Sequence, residues 1–131
     1  VLDECFLANK SRVAKFCTRY KESGLGMPWA MQTRSNLLKE ENIVTLKDAG
    51  CVHISFGVET GSPGLLKAIT KGLTVGDNLS AFKLCRKHGI KTFANMLFKL
   101  IFSNNKITIL KANTVFKTLN PAPAKRFIQP K

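Results

Sequence analysis

Apolar and polar positions along this chain switch between two periods, and the switching predicts alternating strands and helices. Val52 to Val58 is largely apolar and β-branched or aromatic, bounded by Gly50 and Gly61. Such a run predicts a strand buried on both faces, as in parallel sheets. Met27 to Thr33 predicts another strand, with Pro28 tolerated at its start, and Ile90 to about Phe98 a further one. Val1 to Asp3 reads as the last residues of a strand, with Asp3 and Glu4 at its tip.

The segments between these runs carry helical spacing. Val13, Phe16, Cys17 and Tyr20 recur at i, i+3, i+4 and i+7, with Asn9 or Ser11 as cap and Ser23-Gly24 as stop. Lys39 to Ala49 predicts a second helix, with Glu40 and Glu41 at its electropositive end, Ile43 and Leu46 toward the sheet, and Gly50 in the left-handed position that ends it. Ser62-Pro63 is a cap followed by proline at the first helical position of a short helix ending near Thr70. Asp77 to about His88 predicts a longer helix, with Leu79, Phe82 and Cys85 inward and Gly89 as its end. Lys106 to Leu119 has apolar spacing at Ile107, Leu110 and Val115 that predicts a last helix, before Pro121, Pro123 and Pro130.

Strands alternating with helices call for right-handed βαβ units and a parallel sheet. About four strands are too few to close a ring, so the pattern predicts an α/β slice of a larger barrel or open sheet. In such folds ligands gather at the strand tips and the helix N-termini that follow. Glu59 at the tip of the central strand, with Gly57, Gly61 and Gly64 around it, marks a candidate site.

Charge adds a second picture. Residues 1–77 hold all 8 acids and 10 Lys/Arg, a net of +2, while residues 78–131 hold 11 Lys/Arg and no acid, a net of +11. A basic segment of this kind fits nucleic acid or another anionic surface, although its cations are spread singly and lack interleaved aromatic platforms. Cys5, Cys17, Cys51 and Cys85 contain no close pair, which leaves no cluster or zinc motif inside the chain. Absence of a secretory pattern predicts reduced thiols in a cytoplasmic protein. The longest apolar stretch, Phe93 to Phe102, is interrupted by Lys99, which predicts no membrane span. The glycines of GVETGSPG follow neither a dinucleotide fingerprint nor a P-loop.

Five motifs, in order, carry a resemblance: DECF, WAMQTRSN, LKDAGCVHISFGVETGS, KGLT and KHGIK. Together they resemble the core of radical S-adenosylmethionine (SAM) enzymes, in the branch that often carries a cobalamin-binding domain. The resemblance implies a TIM-like partial (βα)6 barrel over residues 1–98. It implies SAM and a [4Fe-4S] cluster as cofactors, and leaves open whether the longer protein uses cobalamin. The cluster's CxxxCxxC loop would belong to an N-terminal part upstream of Val1. On this reading the chain is part of an enzyme, inactive alone, whose substrate its residues do not reveal.

Position by position, Asp3 and Glu4 resemble the acidic pair near the methionine amino group. Gln32 and Arg34 resemble polar strand-tip residues that face the cofactor, and Glu59 the residue that meets the ribose hydroxyls. Ser62 opens the next helix beside it. Lys71 resembles a cation for the methionine carboxylate, and Asn95 a polar residue of the following strand. Each also has a structural reading: Asp3-Glu4 as favourable charge before a helix, Glu59 as an ion-pair partner of Lys71 or Arg34, and His53 as a core residue.

The family pattern weakens after Phe98. Lys99 stands where a glycine is usual, and the Pro-Gly-Glu-Thr turn is missing, although KTLNP is again similar. Residues 99–131 therefore read as a divergent basic segment with one helix, and an altered reading frame near Lys99 to Asn105 would account for it. The alternatives to a SAM-binding enzyme segment are a basic RNA-binding module and a decayed gene copy without activity.

Overall fold

A computed structural model describes residues 3, 5–70, 72–103 and 106–112. Its backbone is one four-stranded sheet in the order β1 (Trp29–Thr33), β2 (Cys51–Glu59), β3 (Lys91–Ser103), β4 (Lys106–Ala112). β1, β2 and β3 are parallel, and β4 returns antiparallel to β3. The helices are α1 (Lys10–Glu22), α2 (Glu40–Asp48), α3 (Pro63–Ala68) and α4 (Val75–Lys87), with short 3-10 turns at Phe6–Ala8 and Ser35–Leu37.

Strands in chain order with helices between them form a barrel-like segment, whereas a doubly wound sheet would reverse its order partway. Alternate strand residues build the core. Met31, Ile54, Phe56, Val58 and Ala94 are buried in one core with Val13 and Cys17 of α1, Ile43 and Leu46 of α2, and Ala81 and Cys85 of α4. Period-2 alternation places Ala30 and Gln32, His53, Ser55 and Gly57, and Lys91, Phe93 and Asn95 on the opposite face. That face is partly open, with Gln32 and Lys91 exposed and His53, Ser55 and Asn95 half-buried. β2 is thus buried on one face by helices, not on both as its apolar run predicts. Val52, expected to be sunk in the sheet, is 46% exposed.

Local chemistry explains the helix boundaries. Asn9 Oδ1 accepts from the Arg12 amide at 3.0 Å and opens α1. Ser62 Oγ accepts from the Leu65 amide and opens α3, with Pro63 as its first residue. Thr74 and Asp77 exchange hydrogen bonds at the start of α4: Thr74 N donates to Asp77 Oδ2 at 2.8 Å, and Asp77 N to Thr74 Oγ1 at 3.0 Å. α4 therefore begins two residues before the predicted Asp77. Gly50 and Gly89, at φ +87° and +69°, end α2 and α4 in the left-handed conformation that glycine allows.

Two expectations fail. Leu79, predicted to face inward, is 56% exposed, and the buried stripe of α4 is Asn78, Ala81 and Cys85 with Phe82 partly buried. The predicted helix over 106–119 is replaced, over its described part, by strand β4. Ile107, Thr108 and Ile109 are β-branched, and pairing them with Phe102, Ile101 and Leu100 satisfies their backbone groups in a ladder. The predicted strand tip at Val1 to Asp3 lies, except for Asp3, outside the described residues. Among the described residues no helix is long and apolar enough to cross a membrane.

α2 and α4 are tied at the surface through Glu40, whose Oε1 meets Lys87 Nζ at 2.8 Å and His88 Nε2 at 2.7 Å. Hydrogen bonds from Lys87 and His88 hold the Glu40 carboxyl below its ordinary value, and those from Thr74 do the same for Asp77. A carboxyl depressed in the folded state binds fewer protons than the unfolded chain. Its stabilisation is complete above the ordinary carboxylate range and is lost as pH falls through the folded value. Urea midpoints should therefore fall between about pH 5 and pH 3, and the fall should be shallower in Glu40→Gln/Asp77→Asn. An equal slope in that variant would mean that other carboxyls govern acid unfolding.

Candidate functional site at the strand tips

Parallel strands bring their C-terminal ends to one edge of the sheet. The register pairs Thr33 with Phe56 and Phe56 with Ala94, then Gly57 with Asn95 and Glu59 with Met96. The tip of β1 with Arg34 just beyond it, the end of β2 at Glu59, and Asn95 of β3 thus lie along one rim, with neighbouring strands about 4.8 Å apart. Gln32 pairs with Ser55, and Ser55 with Phe93, so these share the open face just below the rim. Arg34 reaches the segment after α3: a Cβ on Gly72, which has φ +58°, would lie 3.9 Å from Arg34 Nη2. Gln32, Arg34, Glu59 and Asn95 therefore occupy one end of the sheet.

Glu59 sits in unusual backbone. Its φ is +64°, and the Thr60 amide donates to the Val58 carbonyl at 2.8 Å across it, which makes a three-residue γ-turn. The β2–β3 ladder shifts register between Gly57 and Glu59 at the same point. A non-glycine residue in the left-handed region costs on the order of 1–3 kcal/mol and persists only where its surroundings hold it. Here Asn78, 5% exposed on the first turn of α4, donates Nδ2 to the Val58 carbonyl at 3.4 Å. Its Oδ1 accepts from Ser35 Oγ at 2.5 Å, and Ser35 is 3% exposed directly after Arg34. One buried amide thus links the β1 tip to the β2 tip. Neither Ser35 nor Asn78 stands out in the sequence. Asn78 lies off the apolar stripe that the sequence predicts for this helix, so no helical period points to it.

The remaining expected site residues divide. Arg12 Nη2 pairs with Asp3 Oδ2 at 2.7 Å and the Cys5 amide donates to Asp3 Oδ1 at 2.8 Å, so this carboxylate is engaged at the approach to α1. Ser62 uses its hydroxyl to cap α3. Glu4 and Lys71 lie outside the described residues. His53 lies on the open face beside Phe93, ring centroids 6.4 Å apart. Burial, and then the Lys91 cation, hold its imidazole below the ordinary value.

Three of the four cysteines are core residues. Cys17, Cys51 and Cys85 are buried on the helix side, and burial pushes the Cys51 and Cys85 thiols up to about 11 and about 12. Among the described residues no three His, Cys, Asp or Glu side chains are placed to hold a metal ion. Two surface grooves open elsewhere, one along α1 between Arg12 and Tyr20 and one between α3 and the start of α4. The strand-tip residues form an open rim because three parallel strands supply only part of a ring.

Comparison with known proteins agrees with this geometry. The description of the radical SAM superfamily matches residues 4–105. An uncharacterised methyltransferase of Pyrococcus horikoshii is 32% identical over 96 residues, which span 73% of this chain and 21% of that protein. The anaerobic magnesium-protoporphyrin IX monomethyl ester cyclase of Rubrivivax gelatinosus is 29% identical over 100 residues, 75% of this chain and 18% of the cyclase. The chain thus spans about a fifth of the length of the curated relatives it matches. Among solved structures, the cobalamin-dependent S-adenosylmethionine radical enzyme OxsB, with aqua-cobalamin and S-adenosylmethionine bound, superposes with a TM-score of 0.62 at 24% identity. It covers 78% of this chain and 17% of OxsB. Elp3 of Methanocaldococcus infernus gives 0.61 at 16% identity, covering 74% and 28%.

Proposed function

This chain belongs to the radical SAM superfamily, and on that premise we propose that its strand tips form part of a pocket for S-adenosyl-L-methionine in an enzyme of radical-based catalysis. The observation that carries this reading is the gathering of an amide, a guanidinium and a carboxylate, Gln32, Arg34 and Glu59, along one rim with Asn95. The donor set fits the ligand. A carboxylate accepts both vicinal ribose hydroxyls, a guanidinium pairs with the methionine carboxylate, and amides meet the purine edge. Asp3 and Glu4 would serve the amino group, and Lys71 would share the carboxylate with Arg34.

In this family a [4Fe-4S] cluster supplies the electron that cleaves the sulfonium. The described residues do not fit such a cluster, since among them no three Cys, His, Asp or Glu side chains are gathered to hold a metal ion. Its ligands would belong to the N-terminal part of the longer protein. Cobalamin would likewise be held by that longer protein, as none of the residues placed here is assigned to it. The work of this segment is to bind and orient. The half-open strand face below the rim, with Gln32, Ser55 and Asn95, would border the substrate.

Equilibrium dialysis with isotopically labelled S-adenosyl-L-methionine tests the reading. The chain should retain the label saturably, S-adenosyl-L-homocysteine should displace it, and ATP should not. Retention that ATP displaces equally, or no saturable retention, would exclude the assignment.

A further inference from the structure

Resting on that reading, we infer that Asn78 is a positioning residue: it holds the turn that presents Glu59 and fixes the distance from Glu59 to the β1 tip at Arg34. Three observations carry this. The first is the position of Asn78 in α4. The sequence offers Leu79 for the buried stripe, yet Leu79 is 56% exposed and Asn78 is 5% exposed. Burying an amide in place of leucine is unfavourable unless its polar atoms are satisfied. Both are satisfied here, and each partner directly adjoins a candidate ligand residue: Ser35 follows Arg34, and Val58 precedes Glu59.

The second observation is the orientation of the amide. The Val58 carbonyl can only accept, so Asn78 must present Nδ2 to it. That leaves Oδ1 for the hydroxyl of Ser35, which can donate. The side chain is therefore fixed in one of its two flips by the chemistry of its neighbours.

The third is strain. Glu59 at φ +64° stays in the left-handed region only against a restoring tendency toward extended backbone. The Val58 carbonyl is the anchor of its turn, since it accepts the Thr60 amide at 2.8 Å. Asn78 grips the same oxygen from the helix side. Thr74 and Asp77 in turn fix the first turn of α4, on which Asn78 sits. Rim geometry is thus set from behind, by a helix that need not touch the ligand.

Asn78→Asp separates this role from packing. It keeps the shape and the Ser35 contact but sets an acceptor against the Val58 carbonyl. Ser35→Ala removes only the β1 tether, and Leu79→Ala is the exposed control. Two readouts are taken on the full chain. The first is amide hydrogen exchange. Thr60 should exchange at least tenfold faster in Asn78→Asp, with Ile54 in the core of β2 unchanged and unfolding still cooperative. The second is the dissociation constant for S-adenosyl-L-methionine, which should rise about tenfold in Asn78→Asp, less in Ser35→Ala, and not in Leu79→Ala. Asn78→Gln should not restore affinity, because the longer arm cannot reach both partners from the same backbone position.

Unchanged Thr60 exchange in Asn78→Asp would overturn the inference whether or not the nucleoside binds. Faster exchange with unaltered affinity would also overturn it, by showing that the turn does not govern binding. Failure of the wild-type chain to bind would count against the SAM reading alone, and the exchange measurement would still decide what Asn78 does.

Discussion

Phe56→Ala should destabilise the fold by about 3–5 kcal/mol, the range for deleting a buried aromatic side chain. Phe56 is fully buried at the midpoint of β2, flanked in register by Thr33 of β1 and Ala94 of β3. Its ring meets Phe82 of α4 edge-on, with centroids 5.5 Å apart. Removing it opens a cavity between the central strand and the helix that carries Asn78, and neither neighbour in the sheet can fill the space, since Ala94 is small and Thr33 is fixed in the adjacent strand. Stability of natural domains totals only about 5–15 kcal/mol, so the loss takes a large share of it. Urea denaturation followed by circular dichroism should show a sharply lowered midpoint or no cooperative transition. Phe56→Leu should lose much less, because most of the volume remains. Leu79→Ala, at an exposed site, should stay within about 0.5 kcal/mol. If Phe56→Ala and Leu79→Ala have the same midpoint, the core does not centre on β2.

That contrast between Phe56 and Leu79 also shows what was legible in the sequence. β2 was readable because Val52, Ile54, Phe56 and Val58 place β-branched and aromatic residues at every second position between Gly50 and Gly61. Caps were readable for a similar reason: Asn9, Ser62-Pro63, Gly50 and Gly89 each carry chemistry that only one position of a helix uses. The inward face of α4 was not readable. Leu79, Phe82 and Cys85 make a sound apolar stripe, and the observed stripe is rotated by one residue to bury Asn78 instead. Only the distant partners Ser35 and Val58 justify that rotation, and a helical period cannot see residues 43 and 20 positions away.

β4 was misread for a related reason. Ile107 and Leu110 fit helical spacing, but Ile107 and Ile109 fit a strand equally well, and β-branching with Asn104-Asn105 between two apolar runs favours a hairpin. Short apolar runs satisfy both periods, and pairing with β3 decides between them. The openness of one face of β2 was hidden too. An apolar run reports what the strand can bury, and the half-open face shows that the described segment leaves part of that capacity unused. For the site, the strand-tip position singled out Glu59, whereas Gln32, Arg34 and Asn95 entered through the family resemblance. Their common rim followed from the parallel order of the strands, and the γ-turn at Glu59 from no sequence signal.

Glu59→Ala should weaken S-adenosyl-L-methionine binding by roughly tenfold to a hundredfold, since hydrogen bonds to a charged group contribute about 1.5–3 kcal/mol. Two features of this variant need separating. Alanine removes the carboxylate proposed to accept the ribose hydroxyls. It also leaves a Cβ residue at φ +64°, so the backbone strain remains while its use is gone. Glu59→Gly relieves the strain and removes the same carboxylate. The pair therefore separates the two contributions. Both should bind equally poorly, while Glu59→Gly should be as stable as the wild type or more so, by up to about 1–2 kcal/mol relative to Glu59→Ala. Glu59→Gln keeps the length and one acceptor, and should retain part of the affinity. The comparison ligand is S-adenosyl-L-methionine with its ribose replaced by 2′-deoxyribose. If Glu59 meets the hydroxyls, wild-type protein should discriminate against the deoxy analogue and Glu59→Ala should not. Equal discrimination by both proteins would place the ribose elsewhere and leave Glu59 as a strained residue without a ligand.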